Sequence, residues 1–121
     1  MTTFLSSVPI VPARDLEAAT AWYARELGYA VVHVEPEYGI VARDASWIHL
    51  WGPSGIPPEA SMTMLRVGVE GIDKLYDHCS RRGIVHPGAP LETKPWGTRE
   101  FAVRDRDGNL VTFFEPDGGG A

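Results

Sequence analysis

The sequence predicts an α+β protein in which two successive β-α-β-β-β modules form a single domain, residues 1–121. The first observation is an apolar pattern with helical spacing that occurs twice, near residues 16–27 and 72–82. The second is that each helical pattern follows one short apolar segment and precedes three β-rich segments. We expect the modules at about 5–52 and 62–115, joined by a Gly- and Pro-rich link.

The first module begins with a short predicted strand at 8–11. Asp15 is a good N-cap for the helix that follows, and Gly28 ends its apolar pattern as a C′ residue would. Three strands are predicted next, at 30–34, 38–42 and 46–51. Pro9 and Pro12 lack an N–H, so we expect the first strand at a sheet edge or exchanged between two subunits.

The second module repeats this order. A strand is predicted at 62–69, and an apolar stripe that includes Ile72 and Cys79 predicts a helix that stops at Gly83. Strands are predicted at 84–87, 99–103 and 110–115, with an Asp-Gly-Asn turn at 107–109 between the last two. Residues 118–121 are rich in glycine, and we expect them to be disordered.

Composition excludes several classes of protein. A net charge of -5 argues against a nucleic-acid partner, since such binding depends on Lys and Arg. No apolar run approaches the ~18 residues of a membrane helix, and we see no secretory signal, so we expect a cytoplasmic protein. Cys79 is the only cysteine, which excludes an intrachain disulfide and a cysteine-rich metal site.

Aromatic residues alternate with aliphatic ones in the strand predicted at 46–51. The period of two places Ile48 and Leu50 on one face, which should meet a helix. The opposite face then carries Trp47, His49 and Trp51. Two indoles beside an imidazole suit a ligand cup, and the alternative is a dimer interface or core.

Trp96 lies in a Pro-Trp-Gly turn immediately before the strand predicted at 99–103. Loops that meet a sheet often contact ligands, although Trp96 could also cap a core. We expect Arg99 and Glu100, at the start of that strand, to form structural ion pairs.

The segments that resemble a known family are 7–10, 11–23, 71–76, 95–97, 99–102 and 104–111. Pro95-Trp96-Gly97 followed by Arg99-Glu100-Phe101-Ala102 is the most specific of them. With these segments the chain resembles the bleomycin resistance proteins of the vicinal oxygen chelate superfamily, from about residue 7 to 115. The resemblance implies curved sheets that form a cup, a cytoplasmic homodimer, and a drug bound in a crevice between the subunits.

The resemblance also implies where a metal would lie in the enzymes of the superfamily. The four ligand positions fall at Val8, His49, Met64 or Leu65, and Thr112, of which only His49 ligates well. A catalytic metal usually needs about three protein ligands, and a shifted alignment would have to draw on Glu115. We therefore predict no metal, no cofactor and no catalytic residue.

The predicted function is sequestration of a bleomycin-type glycopeptide antibiotic without chemical change. The resemblance implies that a planar part of the drug stacks between Trp96 and Tyr38, where Tyr38 replaces an expected phenylalanine. The crevice departs from the family in two ways. Trp47, His49 and Trp51 are bulkier than expected, and Arg66 and Gly68 stand where larger apolar or aromatic residues are frequent. The predicted ligand-binding residues are Tyr38, Trp47, His49, Trp51, Trp96 and Phe114.

Two other functions stay open at this point. One is a metal-dependent lyase or dioxygenase of the same superfamily, and the other is a binder of a different planar natural product. Four carboxylates near the predicted site are candidates for attracting a cationic drug: Glu35, Glu37, Asp44 and Glu59.

Overall fold

The structure is a computed structural model that describes residues 1–116, so the predicted disorder at 118–121 lies outside the described residues. The first module contains β1 (Ile10–Pro12), α1 (Leu16–Leu27), β2 (Ala30–Val34), β3 (Tyr38–Arg43) and β4 (Ser46–Trp51). A short 3-10 helix at Pro58–Ala60 lies in the link. The second module contains β5 (Met64–Gly68), α2 (Ile72–Arg82), β6 (Glu92–Thr93), β7 (Thr98–Arg104) and β8 (Leu110–Pro116).

Each module folds into a four-stranded mixed sheet with the same strand order. The orders are β1-β4-β3-β2 and β5-β8-β7-β6. In each sheet the first strand of the module is parallel to the last, and the other neighbours are antiparallel. The predicted α+β class and the repeat of the two modules are therefore confirmed.

The two helices begin and end close to the predicted residues, but their N-termini are capped differently. The Asp15 carboxylate accepts a hydrogen bond from the N–H of Ala18, as its position predicts. Helix α2 lacks such a residue at its own N-cap. The carboxylate of Glu115, on β8, accepts hydrogen bonds from the N–H groups of Gly71 and Ile72 instead.

Buried side chains of both modules form one continuous hydrophobic core. Ile48 and Leu50 of β4, and Val111 and Phe113 of β8, belong to it. Polar contacts also join the modules, because the buried Asn109 side chain donates to the Pro12 carbonyl oxygen at 3.0 Å. The helices and the inner faces of the two sheets therefore enclose a shared interior.

The strand predicted at 84–87 is wrong. Val85 forms only an isolated bridge with Val103, and the edge strand of the second sheet is β6, which pairs with β7. Pro87 has no N–H to donate, and the N–H of Gly88 turns back to His86 Nδ1 at 2.9 Å. The N–H of His86 still donates to the Ala102 carbonyl oxygen of β7, and the N–H of Ala102 donates to that of Ala89, so the chain bulges beside β7 and pairs regularly only from Glu92.

The N-terminal segment 1–9 has neither helix nor strand, and β1 starts two residues later than predicted. Phe4 and Leu5 are more than 90% exposed in this segment. In the described residues 1–116, no helix is long and apolar enough to cross a membrane.

Candidate ligand-binding site

The face of the first sheet that points away from the helices is aromatic. Ile48 and Leu50 are fully buried, whereas Trp47 and Trp51 are 44% and 47% exposed and His49 is half-buried. The predicted alternation along β4 is therefore confirmed. We call Tyr38, Trp47, His49 and Trp51 the first open face.

Tyr38 joins this face from the neighbouring strand, because β3 pairs with β4 in the register Tyr38 to Trp51. Its hydroxyl group lies 2.8 Å from His49 Nδ1, in hydrogen-bonding distance. The two rings meet edge to face, with 5.4 Å between their centroids. One nitrogen of His49 is thus engaged by Tyr38, and the pair holds the phenol ring against the sheet.

The corresponding face of the second sheet combines planar and charged groups. Arg66 of β5 reaches across β8 to Glu100 of β7, with Nη1 to Oε1 at 3.1 Å and Nη2 to Oε2 at 2.8 Å. The guanidinium carbon of Arg66 lies 4.6 Å from the centroid of the Phe114 ring, within the range of a cation–π contact. We call Arg66, Gly68, Trp96, Glu100 and Phe114 the second open face.

Gly68 explains how Phe114 fits into this arrangement. A Cβ atom on Gly68 would lie 3.1 Å from Phe114 Cζ, closer than most such contacts in proteins. Because Gly68 has no side chain, the Phe114 ring can pack against it, and the ring in turn contacts the Arg66 guanidinium. Arg66 and Gly68 are two of the positions where the sequence departs from the residues expected by resemblance.

Trp96 lies at the tip of the β6–β7 hairpin. The N–H of Gly97 donates to the carbonyl oxygen of Lys94 at 3.0 Å, and Gly97 has a φ of 95°. Pro95 at the second position and Gly97 at the fourth are residues that such turns favour. The indole is 66% exposed, and its Nε1 donates to Glu100 Oε2 at 3.0 Å.

Glu100 is the residue of this face that sequence reasoning missed. It is only 4% exposed, and Arg66, followed by Thr98 and Trp96, lowers the pKa of its carboxyl to about 2 by hydrogen bonding. Two features of the sequence could have indicated Glu100. Its side chain points to the opposite face of β7 from that of the neighbouring Phe101, and it lies four residues after Trp96. As predicted, it forms an ion pair, but its partner lies on another strand.

The structure thus gathers the predicted site residues into two groups. Tyr38, Trp47, His49 and Trp51 lie on the first open face, whereas Trp96 and Phe114 lie on the second. Within residues 1–116, no hydrogen bond or ring contact joins one group to the other. The predicted site residues therefore lie on two separate sheets of the chain.

The carboxylates proposed for drug attraction lie outside both faces, in turns and in the link. Glu35 follows β2 and lies 3.4 Å from His33 Nε2, and Asp44, in the β3–β4 turn, lies 4.0 Å from Arg43 Nε. Glu37 precedes β3, and Glu59 belongs to the 3-10 helix of the link.

The residues at the implied metal positions do not fit a metal ion. In the part of the chain that the structure describes, no three His, Cys, Asp or Glu side chains converge on one point as metal ligands would. His49 is engaged by Tyr38, and Val8 offers no side-chain donor. Glu115 is on the helix side of β8, where it caps α2.

Comparisons with known proteins agree with this geometry. The model of the Glyoxalase/Bleomycin resistance protein/Dioxygenase superfamily matches residues 6–113. Bleomycin resistance proteins of Geobacillus stearothermophilus and Staphylococcus aureus are 34% identical over 127 aligned residues, which cover 92% of this chain and 96% of each relative.

Similar solved structures share the fold over nearly the whole chain. A bleomycin resistance determinant encoded on the transposon Tn5 has a TM-score of 0.82 and 23% identity, and the match covers 95% of this chain and 100% of that one. The bleomycin-binding protein of Streptomyces verticillus, solved with copper(II)-bleomycin, has a TM-score of 0.79 and 28% identity, over 98% and 99% of the two chains. The protein belongs to the glyoxalase/bleomycin resistance protein/dioxygenase superfamily.

Proposed function

We propose that this protein binds bleomycin-type glycopeptide antibiotics and sequesters them without chemical change. The observation that carries the proposal is the exposed indole of Trp96, fixed at a hairpin tip beside Arg66 and Phe114. Large flat groups held in position at a surface are suited to stacking on planar parts of a ligand. The names of the relatives and the copper(II)-bleomycin in one similar structure support the choice of drug.

The proposed binding unit is a homodimer in which the first open face of one subunit lies opposite the second open face of its partner. Two-fold symmetry would then produce two identical crevices. Trp47, Trp51 and Trp96 are each more than 40% exposed in a single chain, and such aromatic surface usually has a partner. In this arrangement the drug stacks between Tyr38 of one subunit and Trp96 of the other.

The N-terminal segment supports the same assembly. Phe4 and Leu5 are almost fully exposed in a single chain, although each would gain about 1.5–3 kcal/mol from burial. Pro9 contributes only its carbonyl oxygen to the sheet, which accepts from the N–H of His49 at 3.0 Å. We propose that residues 1–9 extend onto the second subunit.

Stacking and charge contacts would supply part of the binding energy of such a site. Each aromatic stacking contact contributes about 0.5–1.5 kcal/mol beyond burial, and a ligand cation over a ring adds roughly 0.5–2 kcal/mol. Micromolar binding corresponds to about 8 kcal/mol, and burial of the apolar rings would have to supply the remainder. The net charge of -5 favours a cationic ligand.

A binding role rather than catalysis agrees with the chemistry of the two faces. Glu100 is neutralised by Arg66, and His49 is paired with Tyr38. Among residues 1–116, neither open face pairs a nucleophilic side chain with an available general base. We propose that the protein acts in the cytoplasm, without a cofactor, by lowering the concentration of free drug.

Equilibrium dialysis against bleomycin tests this function. With limiting protein, the retained drug should rise in proportion to the protein, and mass spectrometry should recover the drug with its mass unchanged. Conversion of many drug molecules per chain, abolished by a chelator, would instead establish the metal-dependent enzyme. Retention of another planar natural product with no retention of bleomycin would overturn the proposed ligand.

A further inference from the structure

We infer that Glu100 is a positioning residue for the second open face, holding Trp96 and Arg66 in one fixed arrangement before a ligand arrives. The inference rests on the proposed function of that face. It assigns to Glu100 a role in ligand binding, although its buried carboxylate does not itself form the exposed surface.

The carboxylate of Glu100 accepts hydrogen bonds from three different parts of the second module. Arg66 reaches it from β5 with two N–H groups, and Trp96 reaches it from the hairpin tip. The hydroxyl group of Thr98 donates to the same oxygen as the indole, Oε2. A fully satisfied charged group of this kind fixes the geometry of all its donors.

The indole of Trp96 is held at the surface by its contact with Glu100. Its side chain is 66% exposed, and among the described contacts its one hydrogen bond goes to Glu100. Lys94 Nζ lies 6.0 Å from the ring centroid, at the outer limit of a cation–π contact. Without the carboxylate, the indole would sample several rotamers and would have to be ordered by the ligand.

Glu100 also fixes the position of Arg66 on the second open face. Two of its N–H groups are engaged by the carboxylate, and its plane lies over the ring of Phe114. The side chain is still 51% exposed, so its remaining N–H groups stay accessible. The positive charge is balanced within the protein, while donors remain for a ligand.

This arrangement indicates which part of a ligand the face selects. The indole N–H is already bonded to Glu100, so Trp96 offers its ring faces rather than a donor. Arg66 adds hydrogen-bond donors beside those rings without unbalanced charge. We expect the face to take a planar group of the ligand that carries a hydrogen-bond acceptor oxygen at its edge.

The substitution Glu100→Gln tests the positioning role, with Glu26→Gln as the matched control. Glu26 is 8% exposed and binds Arg82 through two hydrogen bonds of 2.8 and 2.9 Å, so burial and pairing resemble those of Glu100. It lies on helix α1 and contacts neither open face. Both variants lose a buried carboxylate. At position 100 the amide offers one oxygen and one NH2 group to four donors, so the charge-assisted hydrogen bond from Trp96 is lost, whereas Glu26 does not contact Trp96.

The readout that needs no ligand is the indole N–H signal of Trp96 in 15N-labelled protein, assigned with Trp96→Phe. In Glu100→Gln this signal should move towards that of free indole and exchange faster with water, by about tenfold or more. In Glu26→Gln it should stay in place. An unchanged Trp96 signal in Glu100→Gln overturns the inference.

Titration with bleomycin supplies the second readout. Glu100→Gln should weaken binding by about tenfold at unchanged stoichiometry, whereas Glu26→Gln should stay within about twofold of the wild type. Equal affinity of Glu100→Gln and wild type overturns the role in binding. Failure of the wild type to bind bleomycin overturns the proposed ligand instead, and the indole signal then decides the positioning role by itself.

If Glu100→Gln does not fold, the double variant Glu100→Leu with Arg66→Met removes both charges together and leaves Trp96 without its acceptor. The Trp96 signal of that variant should show the same release, and a retained signal overturns the inference.

Discussion

The hydroxyl group of Tyr23 donates a 2.7 Å hydrogen bond to Asp105 Oδ2 and thereby joins helix α1 of the first module to the turn after β7 of the second. Asp105 also accepts from the N–H groups of Asp107 and Asn109. Burial raises the pKa of Tyr23 well above its ordinary value and also raises the pKa of Asp105. The turn that precedes β8 is thus anchored in the interior of the other module.

Tyr23→Phe should lower the free energy of unfolding by about 1.5–3 kcal/mol, because it removes a buried hydrogen bond to a carboxyl group. The ring itself should keep its edge-to-face contacts with Trp22 and Tyr29. Urea unfolding measures the change. A loss below about 0.5 kcal/mol would show that the contact does not stabilise the junction of the modules.

The ion pair of Glu26 with Arg82 should make stability depend on acid pH. Hydrogen bonds from Arg82 lower the pKa of Glu26 from 4.5 to about 2. The stabilisation is therefore present above the unfolded-state pKa of 4.5 and is lost as the pH falls towards 2. Glu100 follows the same direction, since its pKa is also lowered to about 2.

Melting temperatures measured from neutral pH down to the acid range check this behaviour. Glu26→Gln should melt lower than the wild type at neutral pH, and the difference should shrink as the pH falls below 4.5. Parallel curves for the two proteins would contradict the assigned ion pair.

Gly68→Ala should displace the Phe114 ring, since the new Cβ would lie 3.1 Å from Phe114 Cζ. We expect a loss of about 1 kcal/mol in stability and a several-fold loss in affinity for bleomycin. Gly55→Ala is the control, because no neighbouring heavy atom lies within 4 Å of its added Cβ. Equal behaviour of the two variants would refute the close contact of Gly68 with Phe114.

Substitution of Phe4 and Leu5 by serine tests whether the N-terminal segment contacts a second subunit. Loss of two buried apolar side chains should raise the dimer dissociation constant by about a hundredfold or more. Sedimentation equilibrium measures it, with Thr2→Ser and Thr3→Ser as controls. An unchanged constant would place the segment outside the interface.

Local patterns were sufficient to predict most of the fold. The caps of α1, the alternation along β4 and the repeat of the modules all depend on neighbours within a few residues. Strand β6 was missed because two residues, Glu92 and Thr93, carry no periodic signal, and its pairing depends on β7.

The site was predictable only in part. Strand alternation places Trp47, His49 and Trp51 on one face of β4, whereas the pairing of Tyr38 with Trp96 was implied only by the family resemblance. The pair of Arg66 and Glu100 follows from neither, because these residues are 34 positions apart and meet only through the order β5-β8-β7. Glu115 likewise caps a helix that begins 43 positions before it, at Ile72.

Mixed dimers test the central claim, that one crevice is built from two subunits. Tyr38→Ala and Trp96→Ala should each weaken bleomycin binding by about tenfold or more as homodimers. In a heterodimer of the two variants, one crevice carries both substitutions and the other carries neither. Purified with two different tags and titrated calorimetrically, the heterodimer should bind one drug molecule with wild-type affinity. No recovered site would contradict the account, since Tyr38 and Trp96 would then serve the drug within a single subunit or not at all.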